Sequence, residues 1–386
     1  MMFKLSMLLL ATTLLGGCNY IDDYAFGKDN TPQPAMLGQL TSNKTVNIDY
    51  SVAIGKFKSS WSTPDLQPTI SGNTVYVANS VGKIFAINKN TGTVLWQKDL
   101  RHDLIAGPVV AAKYLILSTD DSAIYLVSRA DGTLLQRISV ANDVLAKPLV
   151  HAGKIYLKTI SGQVYCIDLK TGKKDWKYTH GAAEIILKAS SSPVYYNNMI
   201  LVGFSDGSLV GLDPYKGHLI FQQHISFSRG VSEVERLNDI DTKPLLDNDK
   251  LYIASYQGEI GAYQVSESQF LWKKPASTFH DLAFINDSLI MVSSNDVIWS
   301  FQKTLGQVLW KQQGLRARHL TAPLIWQGKI WVADSLGYLH GIAPQTGKFI
   351  SRLKLPQGVL STPVSDGKYC WVITTNGQLH RLSLEK

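Results

Sequence analysis

Short apolar runs, separated by polar turn residues, fill most of this chain. The clearest example lies between Pro148 and Trp176, where two apolar runs alternate with turns at Gly162 and Gly172. Such runs, rich in β-branched and aromatic residues, are typical of short antiparallel strands. Beyond the N-terminal segment, no long stretch has the 3.6-residue period of an amphipathic helix. The pattern predicts an all-β protein.

The same pattern returns about every forty residues. A proline precedes the first apolar run, and a glycine follows that proline by fourteen residues in the second turn. Six pairs keep this spacing, and they are Pro68/Gly82, Pro148/Gly162, Pro193/Gly207, Pro244/Gly258, Pro323/Gly337 and Pro363/Gly377. Pro108/Ser122 shares the register, and 283–296 forms a degenerate copy. A fixed period of this length indicates a repeat architecture, and four strands with three turns predict a β-propeller blade.

The number of copies predicts how the ring closes. Eight copies start near residues 68, 108, 148, 193, 244, 283, 323 and 363, but the last has room for only three strands. Residues 46–52 are expected to supply the missing strand, with Tyr50 where other copies have tryptophan. Trp61 is the alternative anchor, but it lies too close to Pro68. We therefore predict an eight-bladed propeller of four-stranded antiparallel blades over 45–386, closed by an N-terminal strand that removes exposed sheet edges.

The N-terminus has the build of a secretory leader. Lys4 precedes the apolar stretch 5–15, which is too short to span a bilayer, and the first seventeen residues end in Leu-Gly-Gly before Cys18. These residues resemble the bacterial lipobox, which implies removal of residues 1–17 and lipidation of Cys18. A plain signal peptide followed by an unrelated cysteine is the alternative.

The residues after Cys18 suggest where the chain resides. Asn19 stands where an aspartate would imply inner-membrane retention, so we expect a lipid anchor in the outer membrane, on its periplasmic side. Several acyl chains make such anchoring stable. Residues 18–44 are rich in Asp, Asn, Gln, Pro and Gly, and we expect them to form a flexible tether.

Charge and cysteine content exclude some functions. The formal net charge is +8, and the basic residues are scattered over turns without the stacking aromatics of a nucleic-acid groove. We therefore expect no nucleic-acid partner. Cys166 and Cys370 fall three blades apart, whereas a disulfide needs Cα atoms within about 7 Å. Both are predicted to be buried free thiols.

Signals of catalysis are weak. Residues 203–207 match the Gly-x-Ser-x-Gly pattern, but a nucleophile elbow joins a strand to a helix, and here the pentapeptide lies in a predicted hairpin. The histidines show no metal-ligand spacing. The segment 239–241 lacks the alternating oxygen ligands and the glycine of a calcium loop. We expect no enzymatic activity, no cofactor and no metal.

Two connections between blades are longer than the others. They run from Trp176 to Pro193 and from Phe221 to Pro244. In an up-and-down blade every such connection leaves the same face of the ring, and long ordered loops on a rigid scaffold are often functional.

The contents of these two connections are unusual. The first holds the apolar cluster 184–188, and the second holds the charged and aliphatic segment 231–242. Exposed apolar residues rimmed by charge are typical of a protein-binding patch. The alternative is that Ile186, Leu237 and Ile240 are buried locally against the blades.

The blade motif resembles the tryptophan-docking repeat of pyrroloquinoline-quinone enzymes. It comprises Ile167-Asp168, Thr171-Gly172 and Trp176. Together with the lipobox, the eight blades and the segment 233–242, the chain resembles the BamB family, propeller lipoproteins of the outer-membrane β-barrel assembly (BAM) machinery. The resemblance covers essentially the whole mature chain, and the segment between blades 4 and 5 is its most specific part.

The resemblance implies a non-enzymatic scaffold. Such a protein binds the periplasmic POTRA domains of BamA, and through BamA the BAM complex, and assists folding and insertion of β-barrel outer-membrane proteins. Contact with the unfolded proteins themselves is left open. The docking residues it implies are Ile185, Leu187, Lys188, Asp239 and Asp241. Lys188 stands where the family typically has arginine, so the charge is kept but the bidentate fork is lost.

Two alternatives stay open at this stage. One is a quinoprotein of the pyrroloquinoline-quinone type, although the chain is short for that family and has no adjacent cysteine pair. The other is a periplasmic propeller that binds glycans or cell wall.

Overall fold

The structure is a computed structural model that describes residues 31–40, 45–58, 65–181, 191–225, 240 and 242–385. It contains 32 strands, and the described part of the chain has no helix. Their bounds are β1 Val46–Ala53, β2 Thr69–Ser71, β3 Thr74–Ala78, β4 Lys83–Asn88, β5 Val94–Asp99, β6 Leu104–Ala111, β7 Tyr114–Thr119, β8 Ala123–Ser128, β9 Leu134–Ser139, β10 Leu149–His151, β11 Lys154–Lys158, β12 Gln163–Asp168, β13 Lys174–Thr179, β14 Val194–Tyr196, β15 Met199–Gly203, β16 Ser208–Leu212, β17 Leu219–His224, β18 Leu245–Asp247, β19 Lys250–Ala254, β20 Gly258–Gln264, β21 Gln269–Ala276, β22 Ala283–Ile285, β23 Ser288–Val292, β24 Ile298–Gln302, β25 Val308–Gln312, β26 Leu324–Trp326, β27 Lys329–Ala333, β28 Tyr338–Ile342, β29 Phe349–Lys354, β30 Val364–Ser365, β31 Cys370–Thr374 and β32 Gln378–Leu384.

The strands form eight antiparallel sheets of four strands each. Blade 1 is β2–β5, and each following set of four makes the next blade up to blade 7, β26–β29. Blade 8 has the order β1-β32-β31-β30, so its outer strand comes from the N-terminal side. The all-β, eight-bladed prediction and the closure by an N-terminal strand are confirmed. The compact unit that holds the propeller spans Met36–Lys386, and Met1–Ala35 is a separate unit.

Burial explains why the central strands read as continuous apolar runs. The middle strands of a blade are covered on both faces, as in β3 and β4, whereas the outer strand β5 is largely exposed. The buried side chains form eight hydrophobic clusters, each between two neighbouring blades. One of them joins Ile116 of blade 2 to Ile155 of blade 3. The core is therefore a ring of interfaces between sheets.

Tyr50 takes the place of the tryptophan that docks blades 1, 3, 5 and 6 on the next blade. Its hydroxyl donates to the Lys89 carbonyl at 3.0 Å, just as Trp96 Nε1 donates to the Arg129 carbonyl at 3.2 Å. A Cβ on Gly92 would lie 2.8 Å from the Tyr50 ring, so the aromatic ring lies flat against a residue that must be glycine. The choice of Tyr50 is confirmed, and Trp61 lies outside the described residues.

The cysteine prediction is confirmed, and the N-terminal contacts go beyond the prediction. Cys166 and Cys370 are buried and free. Leu37 packs against the cluster between blades 6 and 7, and Arg352 Nη1 donates to the Gly38 carbonyl at 2.8 Å. Contact with the propeller thus begins before residue 45. The domain boundaries at residues 17 and 44 stay predictions. Of the residues the structure describes, none form a helix that could cross a membrane.

The connections between blades leave one face of the ring, which we call the connection face. The second turn of each blade lies on the same face. Backbone hydrogen bonds from the first residues of a connection to the second turn show this arrangement. His180 N–H donates to the Gly162 carbonyl at 3.0 Å, and Ile225 N–H donates to the Gly207 carbonyl at 2.9 Å. The two long connections, 180–193 and 225–244, therefore flank blade 4 on this face.

Candidate partner-binding site

The residues predicted to bind a partner fall within the two long connections. Ile185, Leu187, Lys188, Asp239 and Asp241 lie outside the described residues, as do Cys18, Ile186 and Leu237. These assignments stay predictions. The structure does describe both ends of each connection, and these ends fix where the connections leave and re-enter the propeller.

Ile240 anchors the second connection. Its side chain is fully buried among residues of blades 4 and 5, including Leu209 and Ile253. Its N–H donates to the Phe204 carbonyl at 3.3 Å. A Cβ on Gly203 would lie 2.5 Å from Ile240 Cγ2, so this space exists only because residue 203 is glycine. Local burial, the alternative to partner contact, is therefore correct for Ile240.

The same connection is also fixed where it enters blade 5. Thr242 Oγ1 donates to the Ala254 carbonyl at 2.7 Å and lies 3.2 Å from the Ala254 nitrogen, from which it accepts. Lys243 N–H donates to Asp281 Oδ1 at 2.8 Å. Buried polar groups are stable only when they are hydrogen-bonded, and the fully buried Thr242 satisfies that condition.

The first connection starts at His180, whose ring contacts blade 4. His180 Nε2 lies 2.9 Å from Asp206 Oδ2, and Asp206 Oδ1 accepts the Ser208 N–H at 2.9 Å. Burial acts to raise the pKa of Asp206, but the hydrogen bonds from His180 and Ser208 outweigh it and lower the pKa to about 2. Asp206 is therefore an anion that holds His180 in place at neutral pH.

Phe204 and Lys158 complete this contact. Phe204 is 2% exposed, and its ring centroid lies 4.2 Å from that of His180. Lys158 Nζ donates to the Gly203 carbonyl at 2.8 Å and lies 5.7 Å from the Phe204 ring centroid. We call Lys158, His180, Phe204, Asp206 and Ile240 the root cluster, because it joins the described ends of both long connections.

Sequence reasoning did not find the root cluster, although part of its signal is visible. The pentapeptide 203–207 does lie in a hairpin, between β15 and β16, as expected. Lys158 and Phe204 depart from the residue types that the other copies have at the same repeat positions. The contact of Lys158 with Phe204, and those of Phe204 with His180 and Ile240, cannot be read from spacing.

Comparison with known proteins identifies the family. The family model described as "Outer membrane protein assembly factor BamB" matches residues 56–135 and 82–312. "Outer membrane protein assembly factor BamB" of Legionella pneumophila (strain Paris) is 45% identical over 378 residues, which cover 98% of each chain. The chain belongs to the BamB family. The resemblance noted in the sequence is thereby confirmed.

Solved structures agree on the fold. The crystal structure of BamB from Moraxella catarrhalis has a TM-score of 0.81 at 20% identity, covering 88% of this chain and all of that one. A europium-containing methanol dehydrogenase has a TM-score of 0.73 at 12% identity, covering 88% of this chain and 93% of that one. At these identities the likeness extends to the propeller architecture alone, so it does not bring the dehydrogenase's chemistry to this BamB-family chain.

One cleft of the BamB-family propeller is large enough for a small ligand. It has a volume of about 300 Å³, opens between blades 5 and 6, and is lined in part by Trp299, Lys311 and Arg316. Lys311 Nζ lies 3.7 Å from the centroid of the Trp299 ring, so this aromatic face is already covered by a cation. A planar cofactor would have to displace Lys311 to stack on this face of Trp299.

One group of side chains has metal-like spacing that the sequence did not reveal. Potential ligand atoms of His102, Asp120 and Asp121 lie within 4.8 Å of one another near the connection face. Arg137 Nη2 already donates to Asp121 Oδ2 at 2.7 Å, which compensates that carboxylate. The group is part of a surface charge network, and it gives no reason to assign a metal.

Proposed function

We propose that this BamB-family chain is a non-enzymatic scaffold that binds the POTRA domains of BamA through its two long connections. In that role it assists the folding and insertion of β-barrel outer-membrane proteins. The carrying observation is the root cluster, where His180 and Ile240, from different connections, both contact Phe204. Two long segments that start from one rigid base suit a single docking surface.

The proposed surface combines aliphatic and charged groups. Ile185 and Leu187 supply the desolvated centre, and Lys188 contributes one positive charge. Asp239 and Asp241 are each joined by one peptide bond to Ile240, whose position is fixed by complete burial. Carboxylates that are already held in place lose little conformational freedom when a basic partner group binds them, and we propose this role for Asp239 and Asp241.

We further propose that the chain is anchored by lipid at Cys18 after residues 1–17 are removed, and that the part of 18–44 before Leu37 acts as the tether. The propeller then faces the periplasm from the outer membrane. Substitution of Cys18 by serine is expected to release the chain into the soluble periplasmic fraction, because acyl chains supply the membrane affinity. Persistence of Cys18→Ser in the outer membrane without BamA would contradict the anchor.

Charge reversal at the proposed surface tests the function. Asp239→Lys and Asp241→Lys combined with Leu187→Ala are expected to abolish co-purification with BamA and leave the melting temperature unchanged. A matched control reverses two exposed acids, Glu267 and Asp287, which lie in turns on the opposite face. Undiminished co-purification of the triple variant, or equal loss in the control, would reject the assignment.

The two alternative functions, a quinoprotein and a propeller that binds cell wall, each have a test. The purified chain is expected neither to bind pyrroloquinoline quinone nor to reduce a redox dye with alcohol substrates. Peptidoglycan is expected to recover less of the chain than BamA does in parallel pull-downs. Stoichiometric quinone binding, or stronger recovery with peptidoglycan, would favour the corresponding alternative.

A further inference from the structure

The regularity of the repeat shows where the root cluster departs from it. Three positions before the second-turn glycine, or its equivalent, the other seven blades all have a buried polar residue. These residues are Asn79, Thr119, Thr159, Ser255, Ser293, Asp334 and Thr374. Blade 4 has Phe204 there. One position earlier, the other blades carry small or aliphatic residues, whereas blade 3 carries Lys158.

The polar residue normally holds the second turn. In five blades its side chain accepts the N–H of the residue after the turn, as Asn79 Oδ1 does from Lys83 at 2.9 Å. In blade 4 Asp206 Oδ1 accepts from Ser208 instead. The turn is therefore held without a polar residue at 204, and Phe204 is free to make other contacts.

Lys158 is the second departure from the repeat, because it replaces a hydroxyl group as a hydrogen-bond donor. In blade 5 the Ala254 carbonyl accepts the hydroxyl of Thr242 at 2.7 Å. The equivalent carbonyl in blade 4, that of Gly203, accepts Lys158 Nζ, and the equivalent hydroxyl, Ser191 Oγ, has no partner among the described residues. Lys158 is only 7% exposed, and burying an ammonium group is costly unless it is bound.

Both departures from the repeat, Phe204 and Lys158, lie at the base of the long connections and link blade 3 to blade 4. The Phe204 ring packs against His180 of the first connection, and the Phe204 carbonyl accepts the Ile240 N–H of the second. Lys158 holds the Gly203 carbonyl beside the space that Ile240 fills. Asp206 already holds the second turn of blade 4, so the turn alone would require neither Phe204 nor Lys158.

We propose that Lys158 and Phe204 are positioning residues that fix the ends of the two connections relative to each other, so that BamA meets one preformed surface. This inference rests on the proposed function and deepens it. Preorganised surfaces bind more tightly because less ordering is needed on association. Neither residue needs to touch the partner.

The test restores the repeat's own residue types. Phe204→Thr and Lys158→Ala are compared with Leu339→Ala, which removes a fully buried side chain from blade 7. We expect each root-cluster variant of the full lipidated chain to bind the BamA periplasmic domain at least ~10-fold more weakly. Leu339→Ala should keep its affinity despite a comparable loss of melting temperature.

Amide hydrogen exchange tests the positioning role of Lys158 and Phe204 separately from BamA binding. The N–H groups of His180 and Ile240 are expected to exchange faster in Phe204→Thr and at the original rate in Leu339→Ala. Unchanged affinity in both root-cluster variants, or equal loss in Leu339→Ala, would overturn the positioning role. If the unmodified chain does not bind BamA, the proposed function fails, and unchanged exchange at His180 and Ile240 would then also overturn the fixed spacing.

Discussion

A methyl group added at Gly203 should strain the base of the second connection. The new Cβ would lie 2.5 Å from Ile240 Cγ2, 2.8 Å from its Cβ and 3.0 Å from its carbonyl oxygen. Carbon atoms pack at about 3.5–4.0 Å, so Ile240 must move. Overpacking of this kind costs about 1–3 kcal/mol of unfolding free energy, and complete expulsion of Ile240 would add about 1.5–3 kcal/mol.

A double-mutant cycle identifies the cause. Ile240→Ala alone is expected to cost about 2–5 kcal/mol, because it leaves a cavity in the cluster between blades 4 and 5. In Gly203→Ala with Ile240→Ala the 2.5 Å clash with Cγ2 is removed, the contacts with the Cβ and the carbonyl oxygen of residue 240 remain, and the added methyl group fills part of the cavity. The combined loss should then be smaller than the sum of the single losses by at least about 1 kcal/mol.

Urea unfolding, followed by tryptophan fluorescence, measures these free energies. Gly181→Ala is the matched control, because a Cβ at Gly181 meets no atom of the described residues within 4 Å and its backbone is not left-handed. We expect this control to stay within about 0.5 kcal/mol of the unmodified chain. Additive losses in the cycle, or a harmless Gly203→Ala, would refute the packing of Ile240 against blade 4.

Three further outcomes are expected. The two buried cysteines should resist thiol reagents in the folded chain at pH 8 and react after unfolding, because burial raises the pKa of Cys166 to about 11 and also raises that of Cys370; rapid labelling of the folded chain would contradict this. Asp206 has a pKa of about 2 in the folded chain and an ordinary value of 3.8, so its stabilising contribution is complete above about pH 4 and is lost as the pH falls towards 2; Asp206→Asn should flatten this part of the stability profile, and an unchanged profile would count against the His180 contact. Tyr50→Phe should lower the unfolding free energy by about 1–3 kcal/mol, since the hydroxyl also accepts from Trp371 Nε1 at 3.1 Å; a neutral result in urea unfolding would show that this bond is unimportant for ring closure.

The sequence was sufficient for the blades because their signals are local. Each turn glycine and each apolar run reports on its own few residues, and repetition removes the ambiguity of any single copy. Tyr50 could be placed for the same reason, since it occupies a position that other copies define with tryptophan.

The root cluster depends on contacts that the repeat does not encode. Phe204 is unusual in the sequence, but its partner His180 belongs to another blade, and nothing in the spacing predicts their stacking. Ile240 is an aliphatic residue between two aspartates, which equally suits an exposed patch and a buried anchor. The structure shows that Ile240 is buried, because Gly203 has no side chain and leaves space for it.

Photocrosslinking from within the first connection tests the central proposal most directly. A photoreactive amino acid replaces Leu187 in one strain and Glu267, on the opposite face, in another, and the chains are irradiated in living cells. We expect crosslinks to BamA from position 187 and none from position 267. Absence of BamA from the products at 187, or equal crosslinking from 267, would contradict binding through the long connections.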